Sequence, residues 1–341
     1  MGLLVIRGSL RVTQFWPKGG ADADTATVEV VLEGNRPFIY VDEQGGRHPS
    51  RVFEKAESIG RSGRRPVVRF NKRLDANVIN VRLQGIDAPE LHFQPQVTGS
   101  AGHNGKFRQS LGETCSHALH DYLSKISQND LPCEILSRVR KPNEVCDTYG
   151  RIVGNLVLTI DGTRVDVNHW LIREGWALPG LYNSMTKNEI RQLLADHDAA
   201  REDNRGMFSG PYVKKQLATF NPNRRYRKGP ASFTAFSDKG TVNFPKFFRR
   251  QADHHVRRAI GENVPAGLLA YIATKRDDIA IDIRRFLNHT SPTSGADFKR
   301  KFEQLATFVK NGRYPLGPEV VFWEADSKLV RAGTNKPITA W

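Results

Sequence analysis

Cysteine is scarce. The 341 residues include three, Cys115, Cys133 and Cys146, odd in number and widely spaced. That excludes a disulfide framework, no Cys/His spacing suits a zinc site, and the usage fits a reducing compartment. Long apolar runs are absent: none approaches the roughly 18 residues of a membrane span, and residues 1–5 are too short for the apolar part of a signal peptide. The chain is expected to be soluble and cytoplasmic, with no membrane partner. Acidic residues run short in one region only. Residues 1–210 hold 27 Lys and Arg against 25 Asp and Glu, whereas residues 211–341 hold 24 against 11. The net charge of +15 therefore sits almost wholly in the last third. Such a one-sided excess points to a polyanion partner, above all nucleic acid; the bland alternative is a solubility bias. What is present suffices for a packed core, with 39% apolar and 26% charged residues, and the length allows two domains.

Residues 3–12, 25–32 and 77–83 alternate or are rich in Val and Thr, as half-buried strands are. Residues 34–73 are broken by glycines and loaded with arginines, and read as an insertion or long loop with one short strand at 37–41. After an aperiodic loop at 91–105, Phe107, Leu111, Cys115, Leu119, Tyr122 and Ile126 recur at steps of three and four. That spacing predicts an amphipathic helix with Cys115 on its apolar face. Strands follow at 132–139 and 152–160, with Asp161-Gly162 as a hairpin turn into 164–167, and helices at 170–176 and 188–204. Residues 209–243 read as a Pro- and Gly-rich linker. It carries the run Arg224, Arg225, Tyr226, Arg227, Lys228, expected as a flexible arm that binds phosphates through charge. Helices are expected over 245–260, 265–274, 277–288 and 297–310, around a core of Phe244, Phe247, Phe248 and Phe286. The division expected is 1–208, a linker 209–243, and a basic, mainly α-helical domain 244–341.

Three short segments fit one chemistry. Asp22-Ala23-Asp24-Thr25 opens a strand, Arg82 to Glu90 closes one, and Asp147-Thr148-Tyr149-Gly150-Arg151 lies in a turn. Cleavage of a phosphodiester needs a hard cation on a non-bridging oxygen, a positioned water, and cations to take up transition-state charge. Asp24 and Asp87 are oxygen ligands suited to Ca2+. Glu90, three residues after Asp87 and stiffened by Pro89, can orient or deprotonate the water. Arg82 and Arg151 can grip phosphate through bidentate hydrogen bonds that Lys cannot copy. Gly85 and Gly150 permit tight backbone beside the phosphate. Taken singly, each segment has an ordinary reading: acid pairs near turns are usually solvated, and an Arg on a strand edge usually snorkels.

The ordered set D-x-D-T, R-x4-D-x-P-E, D-x-Y-G-R, and Val167-Asn168-His169-Trp170-Leu171-Ile172-Arg173-Glu174-Gly175-Trp176-Ala177, closing at Arg205-Gly206-Met207-Phe208, resembles the staphylococcal nuclease (thermonuclease) family over residues 5–208. The resemblance implies an α+β fold, a five-stranded OB-type β-barrel with packed helices, and one Ca2+ site. It assigns Asp24, Asp87 and the Ala88 carbonyl to the metal, Glu90 to general-base work, and Arg82 and Arg151 to the phosphate. Tyr149 falls at a nucleotide-pocket tyrosine, and Tyr182 is the candidate for a base-stacking one. The activity implied is hydrolysis of DNA or RNA with release of the 5′ oxygen, leaving 3′-phosphates. One departure is Thr148, where the family has Lys. Segment 244–341 resembles no family. It is expected to bind nucleic acid or a regulatory protein, or to self-associate. Two rival readings are a binding module with an inherited catalytic look, and an interaction protein whose barrel is an accessory.

Overall fold

The computed structural model describes residues 2–30, 38–50, 56–57, 64–65, 67–95, 97, 105–139, 142, 145–147, 149–181, 185–212, 219–229, 233–236, 240–276, 278–288, 303–310, 320–323, 329–330 and 337–338. The strands read in the sequence become β1 (Gly2–Arg11), β2 (Thr25–Val30), β3 (Ala76–Leu83), β4 (Asp130–Val139) and β5 (Ile152–Ile160). They close on themselves in the order β1–β2–β3–β5–β4–β1. All pairs are antiparallel except β3–β5, where Val81, Arg82 and Leu83 face Ile152, Val153 and Gly154 in parallel. Closure leaves no free edge in the five-strand cycle, and one face of each strand fills the interior with Leu4, Ile6, Val28, Ile79, Val81, Ile135 and Leu156. This is the OB-type barrel with packed helices that the motifs led one to expect.

Part of residues 34–73 is more regular than a loop. Phe38–Val41 pairs with β1 and with Arg47–Ser50, and Arg69–Asn71 pairs with the first residues of β3, Ala76 to Val78. The insertion thus widens the sheet with a hairpin, because Phe38 and Ile39 meet the β1 backbone at Ile6 and Val5.

Helix α1 (Gly112–Ile126) buries Cys115 and Leu119, as the spacing predicts, and also Leu123, while the expected Tyr122 and Ile126 are half-buried; the helix begins five residues later than Phe107. Phe107 instead bridges to Phe93 and Arg225. Helices α2 (Val167–Arg173) and α3 (Lys187–Glu202) follow; α2 is N-capped by the Asp166 side chain, and α3 opens with a capping box between Thr186 and Glu189. All three cysteines are buried and unbridged.

The later segment holds α4 (Pro245–Ala259) and short helices at Leu268–Ala273, Ile283–Asn288 and Leu305–Lys310. Residues 279–282, expected within a helix, form a strand between Glu303–Gln304 and Val320–Trp323. Ile279, Ala280 and Ile281 include β-branched residues and are buried consecutively, which a sheet covered on both sides accommodates. Phe286 lies outside the residues whose side chains are described. Phe244 and Phe247 pack in the same apolar cluster as the barrel residues, while Phe248 packs with Phe107, Ala252 and Val256. Among the described residues no helix is long and apolar enough to cross a membrane.

Candidate active site

One end of the barrel gathers the three motif segments. Register does it: Thr25 on β2 is the cross-strand partner of Arg82 on β3, and Val153 on β5 is its partner on the other side. Asp24 thus stands one residue before Arg82's neighbour, and Arg151 stands just before β5. After Leu83 the chain turns at Gly85, whose φ of +79° suits glycine. It then runs as the short strand Gly85–Asp87 against Leu178–Gly180, which holds Asp87.

Asp24 and Asp87 are 4% and 5% exposed. Both carboxylates close on the Arg82 guanidinium: Asp24 is in direct ion contact with it, and Arg82 donates to Asp87 Oδ1 at 2.8 Å and to the Ile86 carbonyl at 3.2 Å. Asp24 Oδ2 also accepts the Ala88 N–H at 3.0 Å. Burial works to raise the Asp24 pKa, but Arg82, the Ala88 N–H and Arg151 outweigh it and hold the carboxyl below its ordinary value. Nearby Asp22 goes the other way, raised by burial against the opposing pull of His92.

Arg151 is aimed by Asp147, which is fully buried. Asp147 Oδ2 accepts Arg151 Nε at 2.7 Å, and its Oδ1 accepts the backbone N–H of both Tyr149 and Arg151 at 2.9 Å. Gly150, at φ +81°, makes that tight turn. Arg151 then reaches the Thr25 hydroxyl at 3.3 Å. Tyr149 is 48% exposed, with the Arg151 guanidinium 5.4 Å from its ring centre. Asp147's positioning role went unread in the sequence, although an acid four residues before Arg151 in a turn was the available signal.

Glu90 lies at the same end, with 12% of its side chain exposed. Its backbone N–H donates to Gln109 Oε1 at 3.2 Å. Burial pushes its pKa up to about 8; Arg249 pulls it down, while Asp87, Asp22 and Asp24 push it further up. Arg249, on α4, donates to Glu90 Oε1 at 2.6 Å and to Asp87 Oδ2 at 3.1 Å. No sequence signal marks this residue, which sits 159 positions from Glu90 within a basic helix.

The structure brings together Asp24, Arg82, Asp87, Ala88, Glu90 and Arg151, with Tyr149 at the rim. Tyr182 and Thr148 lie outside the described residues. The basic run at 224–228 is laid down on the chain, not free as an arm. Arg224 donates to Ser110 Oγ at 2.6 Å, Arg225 stacks 3.9 Å from the Phe107 ring centre, and Arg227 forks onto Glu113 at 2.7 and 3.2 Å. One physical reason is Glu113, a carboxylate 1% exposed at the start of α1, which Arg108 at 3.3 Å and Arg227 share. Lys228 is exposed.

Asp24 and Asp87 are hard oxygen donors that already close on one cationic group, a donor chemistry that fits calcium. Among the described residues no three His, Cys, Asp or Glu side chains group as a metal site. The remaining positions would fall to backbone carbonyls and water, which calcium accepts.

Residues 80–210 match the family model described as staphylococcal nuclease homologue. The match begins within β3, so Asp24 and the first two barrel strands precede it. No curated protein matches the chain.

Proposed function

We propose that this protein, whose residues 80–210 match the staphylococcal nuclease homologue family model, is a calcium-dependent nuclease that hydrolyses phosphodiester bonds of DNA or RNA. The observation that carries this reading is the convergence of Asp24, Asp87, Glu90, Arg82 and Arg151 at one barrel end, from three separate segments. Calcium held by Asp24 and Asp87, with the Ala88 carbonyl as a further ligand, would polarise a non-bridging phosphate oxygen. Arg82 and Arg151 bind the phosphate and take up charge as water adds to phosphorus. Glu90 accepts a proton from that water. It must first be ionised, and positive charge arriving beside it lowers its pKa toward the working range. The 5′ oxygen leaves, and the product ends in a 3′-phosphate. Tyr149, half exposed beside Arg151, offers its ring to the nucleotide. The basic segment after residue 211 supplies the field that draws a polyanion in.

A second reading, a nucleic-acid-binding module without cleavage, is favoured by one observation: the Glu90 carboxyl is already engaged by Arg249 at 2.6 Å, in a buried setting that pushes its pKa up. Digestion of plasmid DNA, single-stranded DNA and RNA by the full chain, with calcium, magnesium or chelator, separates the two. The nuclease reading expects calcium-dependent cleavage, lost by a factor of about 100 or more in Glu90→Gln and Arg82→Ala. Binding without cleavage under every condition selects the module, and full activity in both variants refutes the site.

A further inference from the structure

Arg249 belongs to a segment outside the nuclease-homologue match, yet it ends on the two carboxylates at the centre of the candidate site. Asp87 carries one guanidinium on each oxygen: Arg82 on Oδ1 at 2.8 Å and Arg249 on Oδ2 at 3.1 Å. Glu90 is held by Arg249 at 2.6 Å. Two arginines far apart in the sequence thus flank one carboxylate.

The contact is built, not incidental. Helix α4 is fixed on one side by Phe247, buried in the main core, and on another by Lys246 and Arg250, both paired with the buried Asp278 at 3.0 and 2.5 Å. A relay also joins the helix to Glu90. The Glu90 N–H donates to Gln109, the Gln109 amide donates to the Asn243 carbonyl, and Asn243 donates to Gln251 on α4 at 2.8 Å. The backbone of Glu90 and the helix that carries Arg249 are therefore parts of one network. A guanidinium so anchored is a standing member of the site.

Charge assigns its use. Arg82 is shared by Asp24 and Asp87, and Arg249 by Asp87 and Glu90, while Arg151 is matched by Asp147. A divalent cation held by Asp24 and Asp87 would take over the charge that Arg82 and Arg249 now balance on them, and would leave those two planar forks to face an anion. A guanidinium binds a phosphate bidentately and keeps its charge at every relevant pH.

We propose that Arg249 is a third phosphate-binding arginine, contributed by α4, which grips the substrate's phosphodiester backbone opposite Arg82. This rests on the nuclease reading above. It makes the segment after residue 211 part of the site and not only a source of positive field.

The test uses the full chain with Arg249→Ala and Arg249→Lys, and a fluorescent single-stranded oligonucleotide. With calcium present, and the oligonucleotide made resistant to cleavage by phosphorothioate linkages, binding is followed by anisotropy against salt. Arg249→Ala is expected to weaken binding about tenfold and to reduce the slope of log K against log salt by about 0.7, one phosphate contact on a single strand. Arg249→Lys keeps a cation against Glu90 and Asp87, so it retains the slope and the fold. Lacking the fork, it cleaves about 10-fold more slowly than wild type with calcium, and Arg249→Ala about 100-fold more slowly. Wild-type cleavage with unchanged slope and rate in both variants overturns this inference and leaves the nuclease reading standing. Faster cleavage by Arg249→Ala also overturns it, because the arginine would then be blocking the site. A wild-type chain that binds the oligonucleotide and never cuts fails the nuclease reading, while a lower slope in Arg249→Ala would still support the contact.

Discussion

Replacing Glu90 by Gln removes a titration that the fold makes unfavourable, and the effect on stability has a defined sign and size. The carboxyl of Glu90 is raised from its ordinary value of 4.5 to about 8, first by burial and then by Asp87, Asp22 and Asp24, against the pull of Arg249. Below about pH 4.5 the folded and unfolded chains both carry the proton, and wild type behaves like the neutral variant. Between 4.5 and about 8 the folded chain keeps a proton that the unfolded chain has lost. Folding then requires proton uptake, and wild-type stability falls by about 1.4 kcal/mol per pH unit relative to Glu90→Gln. Above about 8 the difference levels off. The full gap is about 5 kcal/mol, and the side chain is buried enough that little screening reduces it. Urea unfolding in chelator at pH 5, 7 and 9 reads this directly. The two proteins should lie within about 1 kcal/mol of each other at pH 5, and the variant should be the more stable by several kcal/mol at pH 9. Added calcium should narrow the gap, because positive charge beside the carboxylate stabilises its ionised form. A difference that stays constant from pH 5 to 9 refutes the reasoning. It would mean that the Arg249 ion pair outweighs burial and that Glu90 is ionised in the fold throughout.

Three further substitutions test the framework around the site. Arg82→Ala leaves Asp24 and Asp87 buried without the guanidinium they share, so in chelator it should lose about 3–5 kcal/mol; calcium should recover more stability in this variant than in wild type, seen as a larger rise in Tm. Asn168→Ala deletes a fully buried amide that accepts from the Leu156 N–H at 3.0 Å and donates to the Gln84 and Gly154 carbonyls at 2.8 and 3.3 Å. It should cost about 3 kcal/mol or more in urea unfolding, with Asn168→Leu no better, since the orphaned backbone groups remain. Phe247→Ala empties a core position 1% exposed and should cost about 3–5 kcal/mol. If α4 and the barrel share one core, near-UV and far-UV circular dichroism should report a single shifted transition, whereas an unshifted barrel transition would show separate units.

Much of this molecule was readable before folding was considered. Strand alternation at 77–83 placed β3, because successive side chains of a pleated strand point to opposite faces, and 152–160 likewise read as the strand that β5 is. The step of three and four through Cys115, Leu119 and Ile126 placed α1 for the equivalent reason on a helix. The candidate site was readable too, because its residues sit in short segments where turn and strand chemistry is local. Gly85 and Gly150 do adopt the left-handed conformations that their motifs called for. What misled was composition without context. The pattern around Ile279 to Ile281 predicts a helix, whereas pairing with Val321 and Trp323 makes them a strand. The run at 224–228 read as an arm because charge suggests solvent, whereas the buried carboxylate of Glu113 calls Arg227 down onto α1.

The division has a physical basis. Residue order along the chain determined the periodic elements, the tight turns and the stock of acids and arginines, since those depend on neighbours a few positions apart. Which arginine meets which acid depended on the closed fold. Asp24 meets Arg82 through the β2–β3 register, and Arg249 meets Glu90 and Asp87 because α4 is packed into the barrel's own core. Contacts that span more than 150 residues leave no periodic trace, and they form only once burial has brought the two segments to one place.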